Sequence, residues 1–295
     1  MAPSVTILDG GMGRELNRMG APFRQPEWSA LPLLEGPDFV RRAHAAFIDA
    51  GARVITTNSY AIVPFHIGEE RFAEKGEALA DLAGRLARQA ADAAGGVRVA
   101  GGLPPLFGSY RPDLFDAKRA PELLRPLIRG LSPYVDLWLA ETQGSIAEAE
   151  AVAAALADDT RPLWLSFTLR DDEDVPAPVL RSHEPVAEAA RAARRLGAQA
   201  LLFNCSQPEV IGAAVVEARE ALADDPLPLG AYANAFPPMR KDHQANDGLT
   251  RLREDLDPPG YLTFARRWVK DGATLVGGCC GIGPEHIAEL KRVLA

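Results

Sequence analysis

Three cysteines occur in the 295 residues, Cys205, Cys279 and Cys280, and two of them stand side by side in Gly277-Gly278-Cys279-Cys280-Gly281. Thiolate sulfur is a soft ligand suited to zinc. Three such ligands leave a fourth tetrahedral position open to water or substrate, which is the pattern of a catalytic rather than a structural site. Two other uses stay open from the residues alone. A single cysteine is commonly a small buried hydrophobe, and the vicinal Cys279–Cys280 pair could serve redox chemistry or a structural metal. An odd count makes a poor disulfide framework, and a closed structural zinc site needs a fourth ligand. His44, His66, His183, His243 and His286 match no ligand spacing and read as helix-surface or loop residues. His286, near the start of the final helical segment, caps or packs there.

The elements that must position these residues follow a repeating pattern. Short apolar or β-branched runs alternate with longer Ala/Leu/Arg/Glu segments of helical spacing. The strand-like runs are Val5–Leu8, Arg53–Thr57, Arg98–Ala100, Leu137–Ala140, Leu163–Thr168, Ala200–Asn204, Leu229–Ala233 and Thr274–Val276. The helical segments include Asp38–Ala50, Ala73–Ala94, Pro121–Leu131, Ile146–Leu156, Pro185–Leu196, Pro208–Leu222, Leu262–Asp271 and Pro284–Leu294. Several open on proline, whose missing N–H costs little in a first turn. Eight βα units with right-handed crossovers close most naturally into a single (β/α)8 barrel over residues 1–295, with no linker-like tract dividing the chain. An open doubly wound sheet is the alternative. Against it, Asp9-Gly10-Gly11-Met12-Gly13 lacks the glycine spacing and immediate helix of a dinucleotide fingerprint. Met12–Gly36 is expected to wander before its helix, and Asn234–Gly260 forms a second long excursion, where Asn234-Ala235-Phe236-Pro237-Pro238-Met239 reads as a lid or an oligomer contact.

In a barrel, every strand's C-terminal end faces one mouth, so strand ends form one list despite their distance in sequence. That list holds Asp9, Gly10 and Gly11, then Asn58 and Tyr60, then Glu141 and Thr142, Ser166 and Thr168, Asn204 and Cys205, Asn234, and finally Cys279 and Cys280. All three cysteines therefore fall at the ends of the sixth and eighth strands. Adjacent ligands at 279 and 280 need an irregular backbone, which Gly277, Gly278 and Gly281 are expected to allow. Asn204 is placed to orient the neighbouring ligand through hydrogen bonds.

Composition narrows the partners. Residues are 47% hydrophobic and 24% charged, as in an ordinary globular chain, and the formal net charge of −8 argues against nucleic acid. No basic segment followed by an apolar core opens the chain, and no apolar run approaches the ~18 residues that span a bilayer. A cytoplasmic enzyme acting on a small molecule is expected.

These residues resemble the homocysteine S-methyltransferase family. The likeness runs through Leu8-Asp9-Gly10-Gly11-Met12-Gly13, Thr56-Thr57-Asn58-Ser59-Tyr60, Asn204-Cys205 and Gly277-Gly278-Cys279-Cys280-Gly281, the last two being the most specific. Trp28-Ser29-Ala30, Glu141-Thr142 and Ser166-Phe167-Thr168-Leu169-Arg170 resemble the branch whose donor is S-methylmethionine or S-adenosylmethionine. The resemblance implies one zinc per chain on Cys205, Cys279 and Cys280, and a homocysteine thiolate attacking the methyl group of a cationic donor to give methionine. It further implies that Glu141 holds the substrate ammonium and that Asp9 with the Gly10–Gly11 backbone contacts its amino-acid end. Tyr60 matches a position that can fill the open zinc site before substrate enters, and Trp28 a loop tryptophan near the donor. Bland readings accompany these roles: a helix-start acid for Glu141, a barrel-top aromatic for Tyr60, a loop anchor for Trp28.

The sequence departs from the family at Gln143-Gly144 and Leu103-Pro104-Pro105-Leu106, and it ends directly after the eighth helical segment, which disfavours betaine or folate as donor. The same chemistry on another thiol or selenol, or with betaine, remains an alternative, as does a non-enzymatic zinc or redox-thiol module.

Overall fold

The computed structural model describes residues 4–171, 177–237 and 251–295. Eight parallel strands are arranged in the order β1-β8-β7-β6-β5-β4-β3-β2. They are β1 Thr6–Ile7, β2 Val54–Thr56, β3 Arg98–Leu103, β4 Leu137–Gln143, β5 Leu163–Phe167, β6 Ala200–Asn204, β7 Leu229–Tyr232 and β8 Ala273–Val276. A parallel bridge between Leu8 and Val54 joins the two ends of the sheet. The sheet is thus closed, and the open doubly wound alternative is excluded.

Two apolar layers build the barrel. Inside it pack Leu8, Val54, Ala100, Leu137, Leu139, Trp164, Ala200, Leu202, Tyr232 and Leu275. Between strands and helices lies a larger layer that includes Phe47, Trp138, Phe167, Phe203 and Trp268. The helix Glu69–Ala94 shows why such segments coil: Phe72, Gly76, Leu79, Ala83, Leu86 and Ala90 recur every three or four residues and are all buried on one face. Gly51 closes the helix Pro37–Ala50 at a φ of 114°, a conformation that glycine reaches without strain. No described helix is long and apolar enough to cross a membrane.

Two expectations are corrected. Met12–Gly36 does not wander: Met12–Arg18 is helical, and a 3-10 turn at Trp28–Ala30 leads into the helix Leu31–Glu35. A helix therefore does follow the first strand's turn immediately. Its glycines serve close packing, since a Cβ on Gly13 would sit 2.4 Å from the Trp28 ring and one on Gly10 would sit 2.4 Å from the Ile282 carbonyl. The histidine reading also changes, because His44, His66 and His286 are buried. His286 caps its helix as expected, accepting from the Gly283 N–H at 3.2 Å, and its other ring nitrogen lies 3.0 Å from the Leu256 carbonyl oxygen. His183 is exposed, and His243 lies outside the described residues.

Candidate metal centre

Strand alternation delivers the polar residues to the mouth. Leu137 and Leu139 of β4 face the barrel interior, so Glu141, two residues further, lines the cavity above them. On β6 the inward set Ala200 and Leu202 continues to Asn204, whose side chain is fully buried. Asn204 accepts from the Ser166 hydroxyl at 2.8 Å and donates to Thr142 Oγ1 at 2.8 Å. Its amide nitrogen lies 4.0 Å from Cys279 Sγ.

Cys205 follows Asn204 and by alternation would point out of the barrel. Its backbone instead turns through a φ of 50°, a left-handed conformation costly for a residue with a side chain, and its sulfur is returned to the mouth. Thr142 makes a similar turn, with φ 60°, at the end of β4. Around Cys279 and Cys280 the glycines have distinct reasons. Gly281 uses its freedom at φ 87°, whereas Gly277 and Gly278 are required by crowding. Added Cβ atoms there would lie 2.6 Å from Leu8 Cβ and 2.1 Å from Ile282 Cγ2. The expected backbone irregularity is present, but only one of the three glycines supplies it through positive φ.

The three cysteine sulfurs lie within 4.8 Å of one another, Cys205 and Cys279 at 2.7 Å. Tetrahedral Zn–S bonds of about 2.3 Å separate sulfurs by roughly 3.8 Å, so modest side-chain adjustment accommodates zinc. The soft all-sulfur donor set fits that metal, and among the described residues no histidine or carboxylate joins the cluster. Hydrogen bonds from Cys205 and Cys279 pull the Cys280 thiol well below its ordinary range, while hydrogen bonds with Cys205 and Cys280 push Cys279 up.

Two carboxyl groups accompany the sulfurs, Asp9 buried and Glu141 half-buried. Burial, reinforced by the Cys205 charge and opposed by a hydrogen bond from Tyr232, pushes Glu141 up to about 8. The Tyr232 hydroxyl donates to Glu141 Oε1 at 3.4 Å. Asp9 is raised by burial, against the pull of the Thr56 N–H at 2.7 Å. Carboxyl groups pushed up in a cavity, with no cation beside them among the described residues, favour a positively charged ligand.

The homocysteine S-methyltransferase family profile matches residues 6–294. The chain belongs to this family. It is 31% identical to the homocysteine S-methyltransferase of Escherichia coli over 97% of its own length and 94% of that protein. It is 28% identical to a selenocysteine methyltransferase of Astragalus bisulcatus, over 100% of the chain and 94% of the relative. The metallated form of the homocysteine methyltransferase MmuM from Escherichia coli superposes with a TM-score of 0.78 at 29% identity, covering 98% of this chain and 96% of that one.

All ten residues given a ligand or substrate role from the sequence border one cavity or its wall. Asp9, Gly10, Gly11, Trp28, Tyr60, Glu141, Cys205, Cys279 and Cys280 line it, and Asn204 stands behind the sulfurs. Two assigned contacts look different in three dimensions. The Gly11 N–H is already bonded to the Ile282 carbonyl at 2.9 Å, and Gly11 is needed because a Cβ would lie 2.5 Å from the Cys279 carbonyl oxygen. The Tyr60 hydroxyl is paired with Ser109 Oγ at 2.7 Å, and the phenol that reaches a cysteine sulfur is Tyr110, donating to Cys205 at 3.2 Å.

Trp28 meets Tyr60 edge to face at 6.1 Å and lies over His66 at 6.3 Å. Sequence reasoning missed Tyr110, Tyr232 and Arg14, which also line the cavity, as does Phe236 of the stretch expected to form a lid or an oligomer contact. Tyr232 was within reach, being the inward residue at the end of β7. Arg14 and Phe236 sit in the segments read as loops and meet with the guanidinium 5.3 Å from the ring centre. Pro238 and Met239 of the strand-seven loop lie outside the described residues.

Proposed function

We propose that the chain, acting as one homocysteine-binding barrel over residues 1–295, transfers a methyl group from a sulfonium donor to the thiolate of homocysteine, giving methionine. S-methylmethionine or S-adenosylmethionine is the donor in this reading. The observation that carries it is the convergence of three cysteine sulfurs within 4.8 Å at the barrel mouth, beside a half-buried Glu141 that pairs with no cation among the described residues.

Cys205, Cys279 and Cys280 would hold the zinc. Bound there, zinc supplies a deprotonated, fixed substrate sulfur at neutral pH. The remaining work belongs to side chains. Glu141 and Asp9 take the substrate ammonium, whose charge restores their ionised forms. Arg14, half-buried beside Phe236, offers charge for a substrate carboxylate. Trp28, Tyr60 and Phe236 form an aromatic wall, and a sulfonium over such a face gains roughly 0.5–2 kcal/mol as it is desolvated. Asn204, locked by Ser166 and Thr142, keeps the sixth-strand ligand loop in place. Thiols with this task belong in a reducing compartment such as the cytoplasm.

Zinc content under reducing conditions, measured together with methionine formation from homocysteine and S-methylmethionine, tests the reading. About one zinc per chain with turnover is the expected result; thiol-protected protein without zinc would refute it. A selenol acceptor is the second reading, favoured by the full-length likeness to a selenocysteine methyltransferase. Competition between homocysteine and selenocysteine for one donor separates the two.

A further inference from the structure

Three protein thiolates and one substrate thiolate would share the same small space as a methyl sulfonium. Any of the four sulfurs is chemically able to take the methyl group. In the unwanted branch, a lone pair on the protein sulfur forms the new S–CH3 bond while the donor S–CH3 bond breaks, its electron pair staying on the donor sulfur. The product is a neutral thioether, a poor zinc ligand, and the enzyme is lost. A protein with this site gains from making its own sulfurs worse nucleophiles than the substrate's.

Cys205 carries a device with that effect. The Tyr110 hydroxyl donates to Cys205 Sγ at 3.2 Å and so engages one of its lone pairs. Tyr110 is held in a left-handed conformation, φ 65°, which places the ring in this position at a cost in backbone strain. Arg181 lies over the ring with its guanidinium carbon 4.9 Å from the centroid, polarising the phenol toward donation. Arg181 is itself fixed by Asp171 at 2.5 Å, in a pair whose side chains are 8% and 0% exposed. The other Asp171 oxygen accepts the Gln207 N–H at 2.9 Å, two residues beyond Cys205. A closed bracket therefore runs from the Cys205 loop through Asp171, Arg181 and Tyr110 back to the Cys205 sulfur. The neighbouring Ser109 pairs with the Tyr60 hydroxyl instead.

We infer that Tyr110, clamped by the Arg181–Asp171 pair, is a positioning residue that keeps Cys205 a metal ligand and shields its sulfur from alkylation. The inference rests on the zinc methyltransferase reading for its purpose, but the hydrogen bond can be tested apart from turnover.

The test compares wild type, Tyr110→Phe and Arg181→Gln, each zinc-loaded and zinc-free, by exposing them to iodoacetamide and reading alkylation at each cysteine by peptide mass spectrometry. Release of zinc to a chelator is followed in parallel. In the zinc-loaded protein, where the ligand sulfur is already a thiolate, Tyr110→Phe should raise the Cys205 alkylation rate about tenfold or more and speed zinc release, with much smaller changes at Cys279 and Cys280. Arg181→Gln, which keeps the hydroxyl, should give a smaller rise at the same cysteine. During turnover with S-methylmethionine, Tyr110→Phe should accumulate S-methylcysteine at 205. Equal Cys205 rates in Tyr110→Phe and wild type overturn the inference, as does a rise spread evenly over the three cysteines. Should Tyr110→Phe fail to fold, Arg181→Gln decides the matter by the same readout. Wild type without zinc overturns the functional reading instead, while the zinc-free alkylation pattern still reports on the bond.

Discussion

The two ends of the barrel treat the same kinds of residue in opposite ways. At the N-terminal face, Asp136 precedes β4 and accepts the Val99 N–H at 2.7 Å and the Arg88 guanidinium at 2.5 Å. Asp159, ahead of β5, takes the Arg161 guanidinium and the Trp138 indole N–H at 3.0 Å. Arg161 in turn reaches the Ser132 carbonyl and stacks on Trp138, its guanidinium carbon 4.8 Å from the ring. Hydrogen bonds from Arg161 hold the Asp159 carboxyl down at about 2. At the C-terminal face, Asp9 and Glu141 pair with no cation among the described residues, and burial drives them up. Strained backbone at Thr142 and Cys205 stands at that face as well. Fully partnered acids tie the chain together; acids left wanting a partner are a binding capacity held ready for a ligand.

If the mouth is functional and the opposite face structural, changes at each should separate activity from stability. The largest effect is expected at the sulfurs. Cys205→Ala, Cys279→Ala or Cys280→Ala should abolish zinc retention and cut methionine formation by well over the 10–100-fold typical of residues that only support a metal ligand. Thermal unfolding of the zinc-free protein should shift little, because the apolar layers close without the metal. Unfolding of these variants would move the centre from the catalytic to the structural side of the comparison. Next in size is Glu141→Gln, which keeps shape and removes charge. It should raise the KM for homocysteine roughly 10–100-fold, the worth of one hydrogen-bonded charge, with kcat much less affected. An unchanged KM would remove Glu141 from the ammonium site.

How much of this contrast was legible in the sequence depends on the kind of signal. Alternation of period two made Leu137, Leu139 and Glu141 one inward row, so strand identity, barrel closure and the polar mouth could all be read. Cys205 could not be oriented that way, because its placement depends on a positive φ that no residue type there announces. Gly277 and Gly278 were recognised as special for the wrong reason: a sequence does not reveal that Leu8 and Ile282 press against them. Tyr110 was missed because its contact with Cys205 joins positions 95 residues apart in the chain. The buried histidines were misjudged for a related reason, since His66 is covered by Phe65, Trp28 and the Pro26 carbonyl, which only the folded first loop brings together.

Smaller effects sharpen the contrast from the structural side. Asp159→Asn should cost about 1–2 kcal/mol in denaturant unfolding, the value of a half-buried charged hydrogen-bond partner, while kcat/KM of the folded protein is retained. The last prediction concerns pH, where the two faces should produce slopes of opposite sign. Asp159 titrates at about 2 when folded and near ~3.9 when unfolded, so its contribution is present above the unfolded value and lost as pH falls from 4 toward 2.

Glu148 lies at the other end, 5% exposed in the first turn of the helix Ile146–Ala155, with the Gly144 N–H donating to it at 2.7 Å. Burial outweighs the hydrogen bonds of Ser145 and Gly144, and the Glu184 charge adds to it, so Glu148 titrates at about 7. Its unfolded value is near ~4.3, so the folded state binds the proton more tightly. Its contribution is therefore full below that value and lost as pH rises to 7. Urea unfolding of zinc-free protein between pH 2 and 8 should show an acid limb that Asp159→Asn flattens and a decline from 4.5 to 7 that Glu148→Gln flattens. If Glu148→Gln leaves the second slope untouched, that carboxyl is ionised like those of the opposite face, and the division between the faces narrows to the cavity alone.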